Sequence, residues 1–258
     1  METIKPHGLI IPKPDRRDYV LGGKKELKGV VLRPDGQWDD FLPPGEIQNL
    51  AVEPEACTSF GTLNVVEMLE RQEFGTASEW SDRFLAYISG TTENGNDPNK
   101  VAQTLKNMGV VPETDWPYTK DDNTWNTFYE KPPQNLITKA LEFIAEYDFG
   151  HQWIPTDPQS LMKALQYSPL GAGGFAWAQD ADGYYYTPNG AQPRHWFAIY
   201  GYVEGKYWKV FDSYAPYVKT LRWDYDFALA KSYTLHRQVV DNTAWGKFLA
   251  FMKQILGI

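Results

Sequence analysis

The chain has 258 residues, 42% of them hydrophobic and 22% charged, with 10 Trp and 16 Tyr; this is no disordered composition, and it suffices for one large domain or two packed lobes. The 25 Lys and Arg against 33 Asp and Glu give a formal net charge of -8, which argues against a duplex nucleic-acid binder and against electrostatic docking on an anionic membrane, a local basic patch aside. The opening residues hold only the apolar run Leu9-Ile10-Ile11 before Pro12, too short for a signal-peptide core, and no segment reaches 18 apolar residues, so no membrane span is expected.

Residues 1–40, rich in Pro, Gly and charge, read as an extended arm, with pairing to a sheet as the plain expectation for it. A loop over 43–57 then runs into a helical pattern: Phe60, Leu63, Val66 and Leu69 recur at helical spacing, with Glu67 and Glu70 between them, so a helix of roughly four turns starts near Cys57. Trp80, Phe84, Tyr87 and Ile88 share a face of a second helix, ended by Gly90. Asp97-Pro98 is an N-cap with proline at the first helical position; Val101, Leu105 and Met108 follow, and Gly109 stops the helix. Beyond Pro132-Pro133, the residues Ile137, Leu141 and Ile144 predict another helix, and Asp157-Pro158 opens one more, carrying Leu161 and Leu165.

From Leu170 the texture changes to strands. Phe175 to Ala178, Trp196 to Val203, Tyr207 to Asp212, Val218 to Trp223 and Ser232 to Arg237 are aromatic or β-branched runs, with Glu204-Gly205 a hairpin turn. Asp180-Ala181-Asp182-Gly183 looks briefly like a calcium loop but lacks the later ligands and reads as a hairpin turn. Helices first and an antiparallel sheet second argue for an α+β fold. The last segment, 243–258, is amphipathic and reads as a helix packed on the protein's own body.

Cys57 is the single cysteine, so no internal disulfide forms, which favours a reducing compartment and a cytoplasmic location. A lone thiol is ordinarily an inert small hydrophobe. Here it stands at a helix start, which matters because the thiolate, not the thiol, is the nucleophile. Lowering a free Cys by about four pH units from ~8.5 takes roughly 5 kcal/mol, whereas a helix N-terminus supplies about 0.3 to 2 kcal/mol. A cationic partner must supply the rest. Of the four histidines, His7 lies in the arm, His151 in a loop, and His195 and His236 in strand contexts. His195 heads the strand beginning at Trp196, 138 residues after Cys57, where a side chain can face a cleft while its neighbours build a sheet. His236 reads as an ordinary structural residue.

The run QNLAVEPEACTSFGTLNVVE resembles the active-site segment of the papain-like cysteine peptidases, in which Gln, a short loop and Cys precede a long helix. RHWFAIYGYVEGKYWKVFDSYAP resembles that family's second segment, and NGNDPNKVAQTLKNMGVVPETDWPY its substrate-strand region and following helix. KPDRRDYV resembles the arm of bacterial and phage members. The resemblance covers most of residues 12–225 in the right order and implies a two-lobe fold: arm 1–40, helical lobe 41–130, β-rich lobe 131–240 and C-terminal helix 241–258, with the active-site cleft between the lobes.

The same resemblance implies a cysteine endopeptidase acting through an acyl-enzyme thioester, with peptide or protein substrates and no metal or cofactor. Cys57 is then the nucleophile, His195 the base, and Gln48 the amide donor to the oxyanion, a role worth about 2.7 to 4 kcal/mol in such sites. Gly95 and Asn96 stand where backbone pairs with extended substrate, and Arg194 beside His195 where it touches specificity. The chain departs from the family pattern in four places. Asp212 replaces the His-orienting Asn, adding a negative charge. Tyr214 replaces the shielding Trp, which leaves the His–Asp bond wetter. Gln48 lies nine residues before Cys57, a longer loop than usual, and Glu53 and Glu55 crowd the thiol and oppose its ionisation. A transamidating or peptide-ligating Cys-His-Asp enzyme and a catalytically silent, peptide- or partner-binding homologue are the alternatives.

Overall fold

The computed structural model describes residues 8–13, 31–76, 78–175 and 177–238. The expected C-terminal helix, His7 and all but Lys13 of the arm motif KPDRRDYV lie outside the described residues.

The helices begin and end where short polar side chains and glycines dictate. α1 (Cys57–Phe74) closes on Gly75, whose φ of 75° lets its N–H return to the Arg71 carbonyl. α2 (Asp82–Ile88) is capped by Ser81, which accepts the Phe84 N–H at 3.1 Å. α3 (Pro98–Met108) opens as expected, Asp97 accepting the Asn99 N–H at 2.7 Å with proline at the first helical position. After the one-turn α4 (Trp125–Phe128), the single helix expected beyond Pro133 is two, α5 (Gln134–Lys139) and α6 (Leu141–Glu146), meeting at Ala140. α7 (Pro158–Leu165) starts at Asp157, which accepts the Ser160 N–H at 3.0 Å.

One eight-stranded sheet carries the rest: β1 (Tyr147–Ile154), β2 (Leu170–Gly174), β3 (Ala178–Gln179), β4 (Tyr185–Tyr186), β5 (His195–Val203), β6 (Tyr207–Phe211), β7 (Val218–Arg222) and β8 (Leu229–Arg237). The spatial order is β1-β8-β2-β5-β6-β7-β4-β3, antiparallel except for the short β4–β7 contact. Two expectations are corrected. His151 lies in β1, opposite Tyr233, not in a loop. The strand expected over Phe175–Ala178 lies earlier, because β2 is Leu-Gly-Ala-Gly-Gly, a composition that strand propensity does not favour. Its glycines are there for close packing: a Cβ on Gly171 would sit 2.5 Å from the Trp196 ring and one on Gly174 2.5 Å from the Phe197 ring.

α1 is the central helix and packs against β5 and β8. Gly61, on its inner face, lets Trp196 approach to a distance at which any Cβ would stand 2.8 Å from the indole. A continuous core joins helices and sheet, running through Leu69, Phe84, Leu105, Phe143, Phe197 and Trp208. The fold is therefore α+β, a helical part packed on a large antiparallel sheet, with the start of α1 facing the start of β5. Among the described residues no helix is long and apolar enough to cross a membrane.

Candidate active site

Cys57 is the first residue of α1, fully buried, and the backbone N–H of Trp196 reaches its sulfur. That contact sets the thiol beside the head of β5, where His195 stands. The histidine Nε2 lies 2.6 Å from Asp212 Oδ1, and both side chains are 0% exposed. Since an ionised carboxylate only accepts, Nε2 is the donor, and Nδ1 is the ring nitrogen not committed to Asp212. Sequence reading expected a wet His–Asp bond because Tyr214 replaces a Trp; the bond is dry. Tyr214 packs edge-on to the imidazole at 5.4 Å, and Trp177 covers another side at 5.6 Å. Trp177 was not singled out from sequence, where it is one aromatic in a presumed strand.

Asp212 divides its two oxygens. Oδ1 serves His195, and Oδ2 accepts the Lys219 ammonium at 2.6 Å. Burial alone would push this carboxyl up; His195 and then Lys219 more than offset it and hold Asp212 below its ordinary value. Lys219, on β7, is itself buried and also donates to the Tyr214 and Pro216 carbonyls, each at 2.6 Å.

Gln48 lies in the same cluster. Its amide nitrogen donates to Glu53 Oε1 and to the Tyr214 hydroxyl, both at 2.8 Å, while its oxygen accepts from Ser213 Oγ at 3.0 Å. Tyr214 in turn donates to Glu53 Oε2 at 2.6 Å, and the Glu55 N–H reaches Glu53 Oε1 at 3.2 Å. Both amide hydrogens of Gln48 are thus engaged by neighbours in this conformation. The crowding read from sequence is present: burial pushes the Cys57 thiol well up, and Glu53, Glu55 and Asp212 push the same way against the Trp196 N–H. Glu55, with φ 53°, is itself raised to about 7 by burial and by Glu53, with Arg194 opposing.

The remaining candidates meet the chain's own amino-terminal segment. Leu9 N–H donates to the Arg194 carbonyl at 3.0 Å, Ile10 N–H to the Asn96 carbonyl at 2.8 Å, and Asn96 N–H to the Gly8 carbonyl at 2.7 Å. The Leu9–Asn96 pairing is parallel. Residues 8–10 of the arm therefore do not simply extend the sheet, as expected; they lie between Asn96 and Arg194, the residue before β5. The Leu9 side chain packs on Cys57 and Trp196, flanked by Trp153 and Leu229. Gly95 (φ 89°) permits this approach, since a Cβ there would lie 1.8 Å from the Gly8 carbonyl oxygen. Asn96 turns its side chain inward, its amide donating to Ser89 Oγ at 2.9 Å and Thr91 Oγ1 at 3.1 Å, so its backbone is what faces the arm.

No protein-family model and no curated protein matches this sequence. Solved structures do. The chain is similar to xylellain, a cysteine protease from Xylella fastidiosa, at 16% identity and a TM-score of 0.66, covering 92% of this chain and 97% of that one. It is similar to the cysteine protease and lectin-like domains of Cwp84, a surface layer associated protein of Clostridium difficile, at 15% identity and a TM-score of 0.67, covering 93% of this chain and 58% of that one. Digestive procathepsin L 3 of Tenebrio molitor larval midgut gives 16% identity and a TM-score of 0.57, with 85% of this chain and 73% of that one covered. The fold is that of the papain-like cysteine proteases.

Proposed function

We propose that this protein is a cysteine peptidase in which Cys57 is the nucleophile, His195 the general base and acid, and Asp212 the residue that orients the imidazole. The observation that carries the reading is the buried 2.6 Å bond between His195 Nε2 and Asp212, beside a helix-start cysteine whose sulfur takes the N–H of the residue next to that histidine. The proton of the thiol passes to His195 Nδ1, and the thiolate attacks the scissile carbonyl. The carbon–nitrogen bond breaks as His195 returns the proton to the leaving amine, giving a thioester. Water then attacks the thioester, its proton taken by His195, and the carbon–sulfur bond breaks, releasing the carboxylic acid and restoring the Cys57 thiolate beside the protonated His195.

Gln48 is the proposed amide donor to the oxyanion, once its hydrogens turn from Glu53 and Tyr214. Gly95, Asn96 and the Arg194 carbonyl are the proposed backbone contacts of an extended peptide; that Asn96 and the Arg194 carbonyl bond residues 8–10 of the chain itself supports the assignment. Peptide or protein is the proposed substrate, and the cytoplasm the proposed location.

One observation favours a second reading, a silent homologue: Cys57 is sealed and its thiol raised. The test is incubation of the full chain and of Cys57→Ala with a mixed peptide library, read by mass spectrometry, beside alkylation of Cys57 below pH 6. Internal cleavages lost in the variant, with alkylation faster than a free thiol shows, support the peptidase. No cleavage with a sluggish thiol favours the silent homologue.

A further inference from the structure

Asp212 is a net negative charge placed against the imidazole, with its field also reaching the thiol. Left alone, it would favour the charged ring but oppose the thiolate. The structure pairs it with a cation that the peptidase reading does not use. Lys219 is 4% exposed, and each of its three N–H groups has an acceptor at 2.6 Å: Asp212 Oδ2, the Tyr214 carbonyl and the Pro216 carbonyl. Its ammonium also lies 5.4 Å from the centre of the Trp177 ring and 5.9 Å from that of Tyr185. The lysine therefore ties three points of the 212–216 loop to β7 while sharing one carboxylate with His195.

We propose that Lys219 is a positioning residue of the reaction: it cancels the charge of Asp212 and fixes its carboxylate, so that His195 is held for proton exchange with Cys57 as a neutral partner would hold it. The Asp–Lys pair has no net charge, and its bond to the ring is short and dry. Lys219 takes no proton from the thiol; it acts through the carboxylate that it holds and through the charge that it sets beside it. The inference rests on the peptidase reading above, and its test is built to fail separately from that reading.

The experiment compares full-length wild type, Lys219→Met, Asp212→Asn and the double variant, each checked by thermal melting. The readouts are the pH profiles of Cys57 alkylation and of peptide hydrolysis. Methionine keeps the apolar stem among Trp177 and Tyr185 but removes the charge. K219M leaves Asp212 uncompensated, and both limbs of the alkylation profile move to higher pH by about one to two units, the scale of a unit charge roughly 6 to 12 Å away at an effective dielectric near 20. D212N leaves the cation uncompensated, and both limbs move down. In the double variant the profile returns to within about half a unit of wild type, a rescue that a purely structural role would not give.

If K219M does not fold, the comparison of D212N with the double variant still decides, because removing the lysine must then raise both limbs. Profiles that superimpose with and without Lys219, or a double variant whose profile stays a unit or more away from wild type, overturn the proposal. Failure of wild type to cleave any peptide while the alkylation profile still answers to Lys219 sinks the peptidase reading alone. A sulfur that resists alkylation at every pH in all four proteins overturns both.

Discussion

Glu53 engages Gln48, Tyr214 and the Glu55 N–H with its two carboxylate oxygens, and its charge disfavours the Cys57 thiolate. In Glu53→Gln the shape is kept and the charge removed. The anion that opposed S⁻ is gone, so the acid limb of the alkylation profile moves down by about one unit, a tenfold gain in rate near pH 5. Iodoacetamide kinetics between pH 4 and 8 read this directly, and an unchanged profile would show that Glu53 leaves the sulfur in the reactive state. At this scale the grouping was implied by the resemblance: Cys57, Gln48, His195 and Asp212, distant in the chain, lie in one cluster. Lys219 was not, because a lysine in a strand reads as solvated. A clue was present in its alternation with Leu221, which shares the inward face of β7. Trp177 gave no clue of this kind, since it lies outside the strands, between β2 and β3.

α1 owes its central place to a face without bulk and to acids without water. Gly61 accommodates Trp196 and Phe197, so Gly61→Val forces the helix off the sheet; a loss of about 1 to 3 kcal/mol, or roughly 2 to 12 °C in Tm at this size, is expected by calorimetry. Glu67 and Glu70, spaced in the sequence like the wet side of a helix, are 2% and 1% exposed. They are buried because α2 and the 78–80 segment cover that side: Glu67 accepts the Trp80 N–H at 3.0 Å and Glu70 the Trp80 indole N–H at 2.9 Å. Asp82, Glu46 and Glu113 complete the group, and burial, with mutual repulsion, pushes all of them up, Glu46 to about 7 and Glu113 to about 8. The folded state therefore holds protons that the unfolded chain has released. The stabilisation is full below the ordinary carboxyl value near 4.5 and drains away as pH climbs through 7 to 8. Tm is expected to fall from pH 5 to pH 8, and Glu113→Gln to flatten the upper part of that fall. Periodicity placed most of these helices, because caps and glycines are local signals; burial of acids and the glycine strand β2 are set by neighbours distant in sequence, which periodicity does not encode.

Across the whole molecule, the order of elements was readable, helices before sheet, except for β1, which precedes α7, while the placement of residues 8–10 was not. Their contacts join residue 9 to residues 96 and 194, a juxtaposition that only the folded chain creates. Leu9 also packs over the sulfur, sharing an apolar cluster with Cys57 and Trp196. Gly8 is the point at which this contact is most open to a clean test. Its φ is 88°, and a Cβ there would lie 2.0 Å from the Glu55 carbonyl oxygen, a backbone atom that cannot swing aside. Gly8→Ala must lift the segment away from Glu55, taking Leu9 from the sulfur without altering any group in the proposed machinery. Opening worth about 1.4 kcal/mol exposes the thiol tenfold more often, so alkylation of Cys57, and peptide hydrolysis with it, should rise by at least that factor. Gly183→Ala is the matched control: its φ of 86° exacts the same backbone strain, but its Cβ would meet only the Gln179 amide at 3.7 Å, in the β3–β4 turn. Equal alkylation rates in both variants and wild type would mean that the sulfur is shut in by α1 and β5 themselves, and that displacing the arm does not open the site.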